Sequence, residues 1–228
     1  MAEAHTAHNT AAFPVNTCTV LPPKVMAGRA YAIAKRAMDL AGASIALLFL
    51  GPLMLLTALL IKLESRGPVL FWQYRLGEHG IPFRFYKFRS MVPDAEQVRS
   101  DLLDSNEADG PIFKIRRDPR ITTVGRWIRK ASLDETPQLF HVLQGKMSLV
   151  GPRPPLPEEV ENYEPWQRER LAVRPGLTCI WQISGRSDIP FERWVELDII
   201  YVRSRSLLLD LKILALTPWA VISGRGAY

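Results

Sequence analysis

The sequence LAGASIALLFLGPLMLLTALLI, at positions 40–61, decides the fold because it runs for 22 residues without a charged side chain. As a helix it would be about 33 Å long, enough to cross the hydrocarbon core of a bilayer. A buried core helix is the other interpretation, but such a helix seldom lacks charge on every face. A signal peptide is disfavoured, since the run begins well into the chain and lacks a small-residue cleavage site.

Gly51 and Pro52 divide this run near its middle. Proline removes one helical hydrogen bond and clashes with the preceding turn, so we expect a kink or a break at bilayer depth. Basic residues flank the run on both sides, and the positive-inside rule therefore selects neither end as cytoplasmic. The residues alone leave open a kinked span and a re-entrant hairpin, and they slightly favour the span because spans are commoner.

The composition is that of one sizeable globular domain with extensions: 228 residues, 47% hydrophobic and 23% charged. It excludes disordered, collagen-like and coiled-coil chains. Lys and Arg total 29 against 23 Asp and Glu, and the net charge of +6 favours anionic partners such as phosphates, nucleic acid or lipid headgroups. The two cysteines, Cys18 and Cys179, lie far apart, which argues against a disulfide scaffold or a zinc site and favours a reducing, cytoplasmic setting.

Two extended segments follow the apolar run. VLFWQYRLG at 69–77 and IPFRFYKFRSM at 81–91 flank a turn at 77–80, and together they predict a β-hairpin. Further on, FERWVELDIIYV at 191–202 and LLLDLKILALTPWAVI at 207–222 have helical periodicity. The second is apolar enough for either the membrane interface or a buried core.

Asp134 and Glu135 are adjacent carboxylates near a predicted helix start. Ser132 and Glu135 have the spacing of a capping box, whereas Pro137 favours Thr136 as the cap and a helix that begins one turn later, so the register stays open. In either register the carboxylates lie at or before a helix N-terminus. Adjacent carboxylates also suit a hard cation such as Mg²⁺, which keeps substrate phosphates among its ligands.

Arginines on constrained backbone supply candidate anion-binding groups. Positions 114–130 hold seven basic residues and one acid, which predicts either an anion site or a basic surface against lipid phosphates. Prolines on both sides of Arg153 restrict its backbone, and guanidinium forks match phosphate oxygens. RPGLT and WQISGR form a third turn-rich cluster. Each of the two turn-rich clusters taken singly is equally well explained as a rigid loop, and the signatures of P-loops, dinucleotide folds, zinc proteases and α/β hydrolases are absent.

Taken together and in this order, four segments resemble the bacterial sugar transferase family, the monotopic phosphoglycosyl transferases. They are PVLFWQYRLGEHGIPFRFYKFRSM, DPRITTVGRWIRKASLDETPQLFHVLQGKMSLVGPRPP, RPGLTCIWQISGR and the closing GRGAY. The resemblance covers nearly everything from about residue 36 to the end. It implies transfer of a hexose-1-phosphate from a UDP-sugar, guessed to be UDP-glucose or UDP-galactose, to polyprenyl (undecaprenyl) phosphate. UMP would be released, in the initiating step of exopolysaccharide or other surface glycan synthesis.

The resemblance also implies roles for individual residues. Asp134 and Glu135 would be the catalytic pair, with Asp134 attacking the β-phosphorus to give a phosphosugar-aspartyl intermediate. Mg²⁺ is the implied cofactor, with Asp134 as its protein ligand. The residues implied to bind substrate or phosphate are Lys87, Arg129, Arg153, Arg174, Gln182 and Arg186. Cys179 stands where the family's motif leads us to expect glycine, so the backbone there would be less free, and a small buried hydrophobe is expected rather than a reactive thiol.

The implied fold class is α+β and mostly helical. A disordered tail at 1–23 would precede a re-entrant membrane helix at 24–62, broken at Gly51 and Pro52, and a compact catalytic domain at 63–228 with a small β-hairpin and interfacial amphipathic helices. The resemblance therefore reverses the preference for a span. It implies the bacterial inner membrane as the location, with the catalytic domain on the cytoplasmic face and membrane lipids as partners.

Two other functions stay open at this stage. One is a membrane-tethered module that binds nucleic acid or anionic lipid without chemistry. The other is a conventional glycosyltransferase that releases UDP in place of UMP. The enzymatic interpretation includes no nucleic acid partner, and the sequence leaves open both the sugar and whether the chain forms a homo-oligomer.

Overall fold

The computed structural model describes residues 28–98, 100–107, 110–113, 115, 117–185 and 189–223. The predicted tail at 1–23 lies outside these residues. The described chain is mostly helical, with two small two-stranded sheets, as the α+β prediction required. The helices are α1 (Arg29–Glu64), α2 (Thr123–Lys130), α3 (Gln138–Leu143), α4 (Pro157–Glu161), α5 (Ile180–Ser184), α6 (Phe191–Ser204) and α7 (Leu207–Ser223). The strands are β1 (Leu70–Leu76), β2 (Pro82–Phe88), β3 (Ser148–Val150) and β4 (Gly176–Thr178). Short 3₁₀ turns lie at Glu78–Gly80, Ser100–Ser105, Leu133–Glu135 and Pro165–Ala172.

Helix α1 continues for 36 residues and includes Pro52. The helical structure is therefore not interrupted at Gly51 and Pro52, where a kink or a break was predicted. Proline removes only one backbone donor, and no neighbouring atom lies within 4 Å of the place where a Cβ of Gly51 would stand, so nothing packed there forces the helix apart. Five residues later the Thr57 hydroxyl donates to the carbonyl of Leu53 at 2.8 Å, a local bond that often bends helices.

Helix α1 leaves most of its apolar surface uncovered. Its most apolar 18-residue window has a mean hydropathy of 2.5 and is only 11% buried. Leu48, Phe49 and Leu55 are 74%, 75% and 75% exposed. A core helix of a soluble domain buries such side chains, so this surface is suited to lipid. Among the described helices, α1 alone has the length and composition to cross a membrane.

Both ends of α1 nevertheless contact the same domain. Near its start, Arg36 donates to the carbonyls of Val142 and Leu143 at the end of α3, at 2.6 and 2.8 Å, where the helix dipole favours a cation. At its end, Glu64 accepts from the backbone N–H of Val124 at 2.9 Å, in the first turn of α2. Arg36 and Glu64 lie about 42 Å apart along a straight helix.

A buried polar cluster holds the first half of α1 against the domain. Asp39 accepts from the hydroxyl of Ser148 on β3 at 3.0 Å, and Asp210 on α7 accepts from the hydroxyl of Tyr31 at 3.0 Å. The ammonium of Lys35 lies 3.4 Å from each carboxylate. Because both carboxylates are almost fully buried, removing Lys35 would leave them without a compensating cation in the interior.

The predicted β-hairpin is confirmed. Strands β1 and β2 pair antiparallel, with Phe71 opposite Lys87 and Arg75 opposite Phe83, and the 3₁₀ turn at Glu78–Gly80 joins them. Alternate residues of β2 point inward, and Phe83 and Phe85 pack against α3 in the main hydrophobic core. The inward face therefore also carries the cations Arg75 and Lys87.

The second sheet joins two motifs that are distant in sequence. Strands β3 and β4 pair parallel, and the N–H of Gly176 donates to the carbonyl of Pro152 at 2.8 Å. A Cβ on Gly176 would lie 2.0 Å from the backbone nitrogen of Gly151, so only glycine permits this approach. LVGPRPP and RPGLT thus lie side by side.

The two predicted C-terminal helices are confirmed as α6 and α7. Helix α6 buries much of one face, including Trp194 and Tyr201. Helix α7 buries only Asp210 and Ile213, whereas Leu208 and Trp219 are 78% and 73% exposed. That exposure favours the membrane interface over a buried core as the setting of α7.

Candidate active site

The Asp134–Glu135 pair lies in the 3₁₀ turn between α2 and α3. Ser132, just before it, has a φ of 54°, a left-handed conformation that costs a non-glycine residue about 1 kcal/mol. The predicted capping box is wrong in this register, because an N-cap residue requires extended backbone and the Ser132 side chain makes no capping hydrogen bond. Helix α3 begins later, at Gln138 after Pro137, close to the alternative that proline favoured.

Asp134 is a buried carboxylate surrounded by charges. It is 8% exposed. Burial and the neighbouring Glu135 carboxylate raise the pKa of Asp134 to about 6, against the opposing effect of the cations Lys87 and Arg129. The carboxylate is therefore largely ionised at neutral pH but poorly solvated, which is the condition of an activated nucleophile.

Lys87 and Arg129 reach this carboxylate because the end of β2 rests directly on α2. The carbonyl of Ser90 accepts from the N–H of Thr122 at 3.1 Å, and a Cβ on Gly125 would lie 2.0 Å from that carbonyl oxygen. A glycine in α2 is thus required for the contact. Burial of the ammonium and the nearby Arg129 lower the pKa of Lys87 to about 8, while Asp134 opposes that shift.

Arg75 also belongs to this environment, although no sequence motif indicated it. The guanidinium is 6% exposed, donates from Nη1 to the carbonyl of Pro154 at 2.5 Å and lies 4.8 Å from the centre of the Phe85 ring. Burial and the charge of Arg153 lower its pKa, while Glu159 and then Glu135 oppose the shift. The sequence did contain a signal for Arg75: it is a charged residue at an inward position of β1, opposite Phe83 of the hydrophobic core.

A second buried arginine supports the loop that carries Arg153. Arg170 donates to the carbonyl of Arg153 at 3.3 Å and to the hydroxyl of Tyr163 at 2.7 Å. It also pairs with Asp198 on α6, at 2.5 Å, and that carboxylate is fully buried. These two residues were likewise not selected from sequence, because helical periodicity alone does not show which loop a buried pair supports.

Cations outnumber carboxylates around the pair. We call this set the dyad cluster, and its members are Asp134, Glu135, Arg75, Lys87, Arg129 and Arg153. The four cations outnumber the two carboxylates, and they still do so when the nearby buried carboxylate of Glu159 is counted, which leaves a local excess of positive charge. Such a site favours an anion with several charges, and a diphosphate has that character.

Three other predicted site residues are not brought into the dyad cluster by the described contacts. Arg174 forms a partly exposed ion pair with Glu78 at 3.2 Å, in the turn between β1 and β2. Gln182 lies half-buried on α5, with its backbone N–H directed to the thiol of Cys179. Arg186 lies outside the described residues, so the roles of all three stay predictions.

Cys179 does not disturb the backbone in the way its departure from glycine suggested. Its φ of −154° and ψ of 174° are extended values that any residue adopts. The side chain is 1% exposed, and burial raises the pKa of the thiol well above its ordinary value. The prediction of a small buried hydrophobe is confirmed.

The basic segment at 114–130 divides among different roles. Arg129 joins the dyad cluster. Arg120 is instead held by Asp118, at 2.6 Å, in a largely buried ion pair. Lys114 and Arg116 lie outside the described residues.

The donor set of the pair fits Mg²⁺. Asp134 and Glu135 supply two adjacent carboxylates, and the described residues contain no group of three acidic, histidine or cysteine side chains that could enclose an ion. Mg²⁺ in proteins typically uses one or two carboxylates and completes its shell with water and substrate phosphates. The pair is therefore suited to an ion that arrives with a phosphate ligand.

The sequence is similar to those of known bacterial proteins. The profile of the family described as bacterial sugar transferase matches residues 30–224. The chain is 48% identical over 196 residues to Galactosyl transferase CpsE of Streptococcus agalactiae, an alignment covering 86% of this chain and 43% of that protein. It is 42% identical over 200 residues to Exopolysaccharide production protein ExoY of Rhizobium meliloti, covering 86% and 88%. It is 41% identical over 211 residues to the Undecaprenyl-phosphate galactose phosphotransferase of Salmonella typhimurium, covering 89% and 43%.

The chain thus spans less than half of two of these relatives and most of the third. The family match extends from the first turn of α1 to just beyond the end of α7 and includes the whole dyad cluster. The chain belongs to the bacterial sugar transferase family.

Proposed function

We propose that this protein transfers a hexose-1-phosphate from a UDP-sugar to polyprenyl phosphate and releases UMP, in the initiating step of exopolysaccharide or other surface glycan synthesis. The observation that carries the proposal is the buried Asp134 carboxylate beside Glu135, Lys87 and Arg129. A nucleophile and several phosphate-binding cations then occupy one site. The names of two of the relatives above contain galactose, so UDP-galactose is tested first and UDP-glucose second.

In the first step, a carboxylate oxygen of Asp134 attacks the β-phosphorus of the UDP-sugar. A bond forms between that oxygen and phosphorus, the bond from phosphorus to the bridging oxygen breaks, and UMP leaves with the electron pair. Lys87, Arg129 and Arg153 offset the charge on the phosphate oxygens as it redistributes.

In the second step, a phosphate oxygen of polyprenyl phosphate attacks the same phosphorus. The bond between phosphorus and Asp134 breaks, the carboxylate is restored, and the product is a polyprenyl diphosphate sugar. Dividing the transfer in this way lets a soluble donor and a membrane-bound acceptor use one site in turn.

Asp134 would hold Mg²⁺ together with donor phosphate oxygens, and Glu135 lies beside it to complete the carboxylate pair. When bound, the ion would neutralise charge on those oxygens and orient the diphosphate.

The membrane arrangement in this proposal is a re-entrant α1 with the domain on the cytoplasmic face. A spanning helix would place its ends on opposite sides of a hydrocarbon core about 30 Å thick. The contacts of Arg36 with α3 and of Glu64 with α2 attach both ends to one domain, which supports a helix that enters and leaves the same leaflet.

The test is nucleotide release by the full chain in nanodiscs with Mg²⁺, polyprenyl phosphate and UDP-galactose or UDP-glucose. We expect UMP, dependent on Asp134. Release of UDP would instead indicate a conventional glycosyltransferase. Release of neither nucleotide by folded protein, together with salt-sensitive binding of anionic vesicles or nucleic acid, would indicate a binding module.

A further inference from the structure

The loop that carries Arg153 is held at successive positions by other elements. It leaves β3 at Gly151, whose N–H donates to the carbonyl of Thr178 on β4 at 3.0 Å. The Pro152 carbonyl accepts from the N–H of Gly176 at 2.8 Å, and the Pro155 carbonyl accepts from the N–H of Leu76 on β1 at 3.0 Å. The backbone on both sides of Arg153 is therefore fixed to the two sheets.

Between these attachments, two buried arginines bind the remaining carbonyls. Arg170 donates to the carbonyl of Arg153 itself, and Arg75 donates to the carbonyl of Pro154. Prolines cannot donate backbone hydrogen bonds, so carbonyl contacts are the main means by which the protein can orient this loop. The two guanidiniums thus act on the backbone that determines where the Arg153 side chain projects.

Arg75 and Arg170 differ in how their own charges are compensated. Arg170 is paired with the buried Asp198. Arg75 has no carboxylate within ion-pair distance among the described residues, although it is nearly as buried. Its other donors, Nε and Nη2, point to the Gln73 amide oxygen at 2.7 and 2.6 Å when that amide is oriented to accept them. A neutral donor could satisfy the carbonyl of Pro154, so this hydrogen bond alone does not require a buried positive charge at position 75.

We propose that Arg75 is a positioning residue for Arg153, linking it to the hairpin that carries Lys87. Its hydrogen bond to the carbonyl of Pro154 fixes the direction of the Arg153 guanidinium. This inference rests on the proposed function, because that function assigns Arg153 to the donor diphosphate. It adds to that function a residue whose effect on the diphosphate passes through Arg153.

The test is a double-mutant cycle with UDP as the probe, titrated calorimetrically into the full chain in nanodiscs with Mg²⁺. We expect Arg153→Ala and Arg75→Lys each to weaken UDP binding about tenfold, the scale of one charge-assisted hydrogen bond. Since Arg75 acts through Arg153, the double variant should bind about as weakly as Arg153→Ala alone. Arg84→Lys is the matched control, because Arg84 lies exposed on the opposite face of the same hairpin, over the ring of Trp72.

A hundredfold loss in the double variant would show independent effects and overturn the inference, as would unchanged binding by folded Arg75→Lys. If Arg75→Lys does not fold, Gln73→Leu removes the acceptor that orients Arg75 and should weaken UDP binding several-fold only where Arg153 is present.

UMP release by the same preparations separates the two proposals. If UMP is released but the effects of Arg75 and Arg153 are not coupled, the proposed function stands and the inference is overturned. If the effects are coupled but no UMP is released, the proposed function is overturned and the inference stands. Wild-type protein that binds no UDP would overturn the inference by removing Arg153 from the diphosphate.

Discussion

The carboxylate of Glu64, the last residue of α1, accepts a hydrogen bond of 2.9 Å from the backbone N–H of Val124 in the first turn of α2. At the other end of the same helix, Arg36 binds the last carbonyls of α3. Helices α2 and α3 flank the Asp134–Glu135 turn. The longest apolar element of the chain is therefore attached on both sides of the candidate active site.

We predict that both ends of α1 face the cytoplasm. Gly28→Cys and Arg66→Cys, each in a chain that also carries Cys18→Ser and Cys179→Ala, should be protected from an impermeant maleimide in intact spheroplasts. Both should react once the membrane is opened. Labelling of one position alone in intact spheroplasts would establish a span and contradict the re-entrant arrangement.

Asp134→Asn should abolish UMP release and at the same time stabilise the protein. The folded pKa of Asp134, about 6, is above the ordinary value near 4, so ionisation costs folding free energy as pH rises through that range. Above pH 6 the variant should gain up to about 3 kcal/mol, and below pH 4 the difference should vanish. Thermal unfolding in EDTA measures this, because a bound cation would itself favour the charged form.

The control for that measurement is Asp104→Asn, since Asp104 is exposed. Its stability should follow the wild type at every pH. An Asp134→Asn variant no more stable than wild type at pH 7.5 would show that the carboxylate is well solvated in the folded protein.

UMP release should decline above about pH 8. Burial lowers the pKa of Lys87 to about 8, and its neutral form no longer offsets phosphate charge. In Lys87→Arg the cation persists at high pH, so the decline should move upward by at least one pH unit even though the altered geometry lowers the maximum rate several-fold. Lys62→Arg, an exposed change at the end of α1, should leave the profile unchanged; an unchanged profile in Lys87→Arg would assign the decline to another group.

Gly176→Ala should destabilise the protein by about 1–3 kcal/mol, because the added methyl group would overlap the backbone of Gly151. UDP binding should weaken in the same variant, since the overlap displaces the loop that carries Arg153. Gly28→Ala adds the same methyl group where no atom lies within 4 Å and should leave UDP binding unchanged. Thermal unfolding and calorimetry test the pair, and wild-type behaviour of Gly176→Ala would show that the sheet contact is dispensable.

The periodicity of apolar residues predicted those helices and strands whose formation depends mainly on residues close together in sequence. The alternation around Phe83 and Phe85 gave the hairpin, and the helical periods near the C-terminus gave α6 and α7. The capping box failed because Ser132 is left-handed, a conformation selected by how the turn packs between α2 and α3 and not by its own spacing. Pro52 was expected to kink or break α1; the helix continues through it, because hydrogen bonds on both sides remain where proline removes one donor.

The site was predictable where residue type alone indicates chemistry. Asp134 and Arg153 were selected in this way, whereas Lys87 and Arg129 were selected from the resemblance to the family, and the side chains lie in one electrostatic environment. Arg75 was not selected, because its significance depends on a carbonyl 79 positions further along the chain. Long-range contacts of this kind leave no periodic signal in a single sequence.

The contact between Tyr31 and Asp210 joins positions 179 residues apart. At ribosomal rates of about 5–20 residues per second, α1 is complete roughly 7–30 s before its partner on α7 exists. During that interval Lys35 and Asp39, one turn apart on the same helix, can compensate each other's charge. The newly made helix thus carries a counter-ion for Asp39, and translation of α7 then supplies Asp210, which attaches the helix to the folded domain.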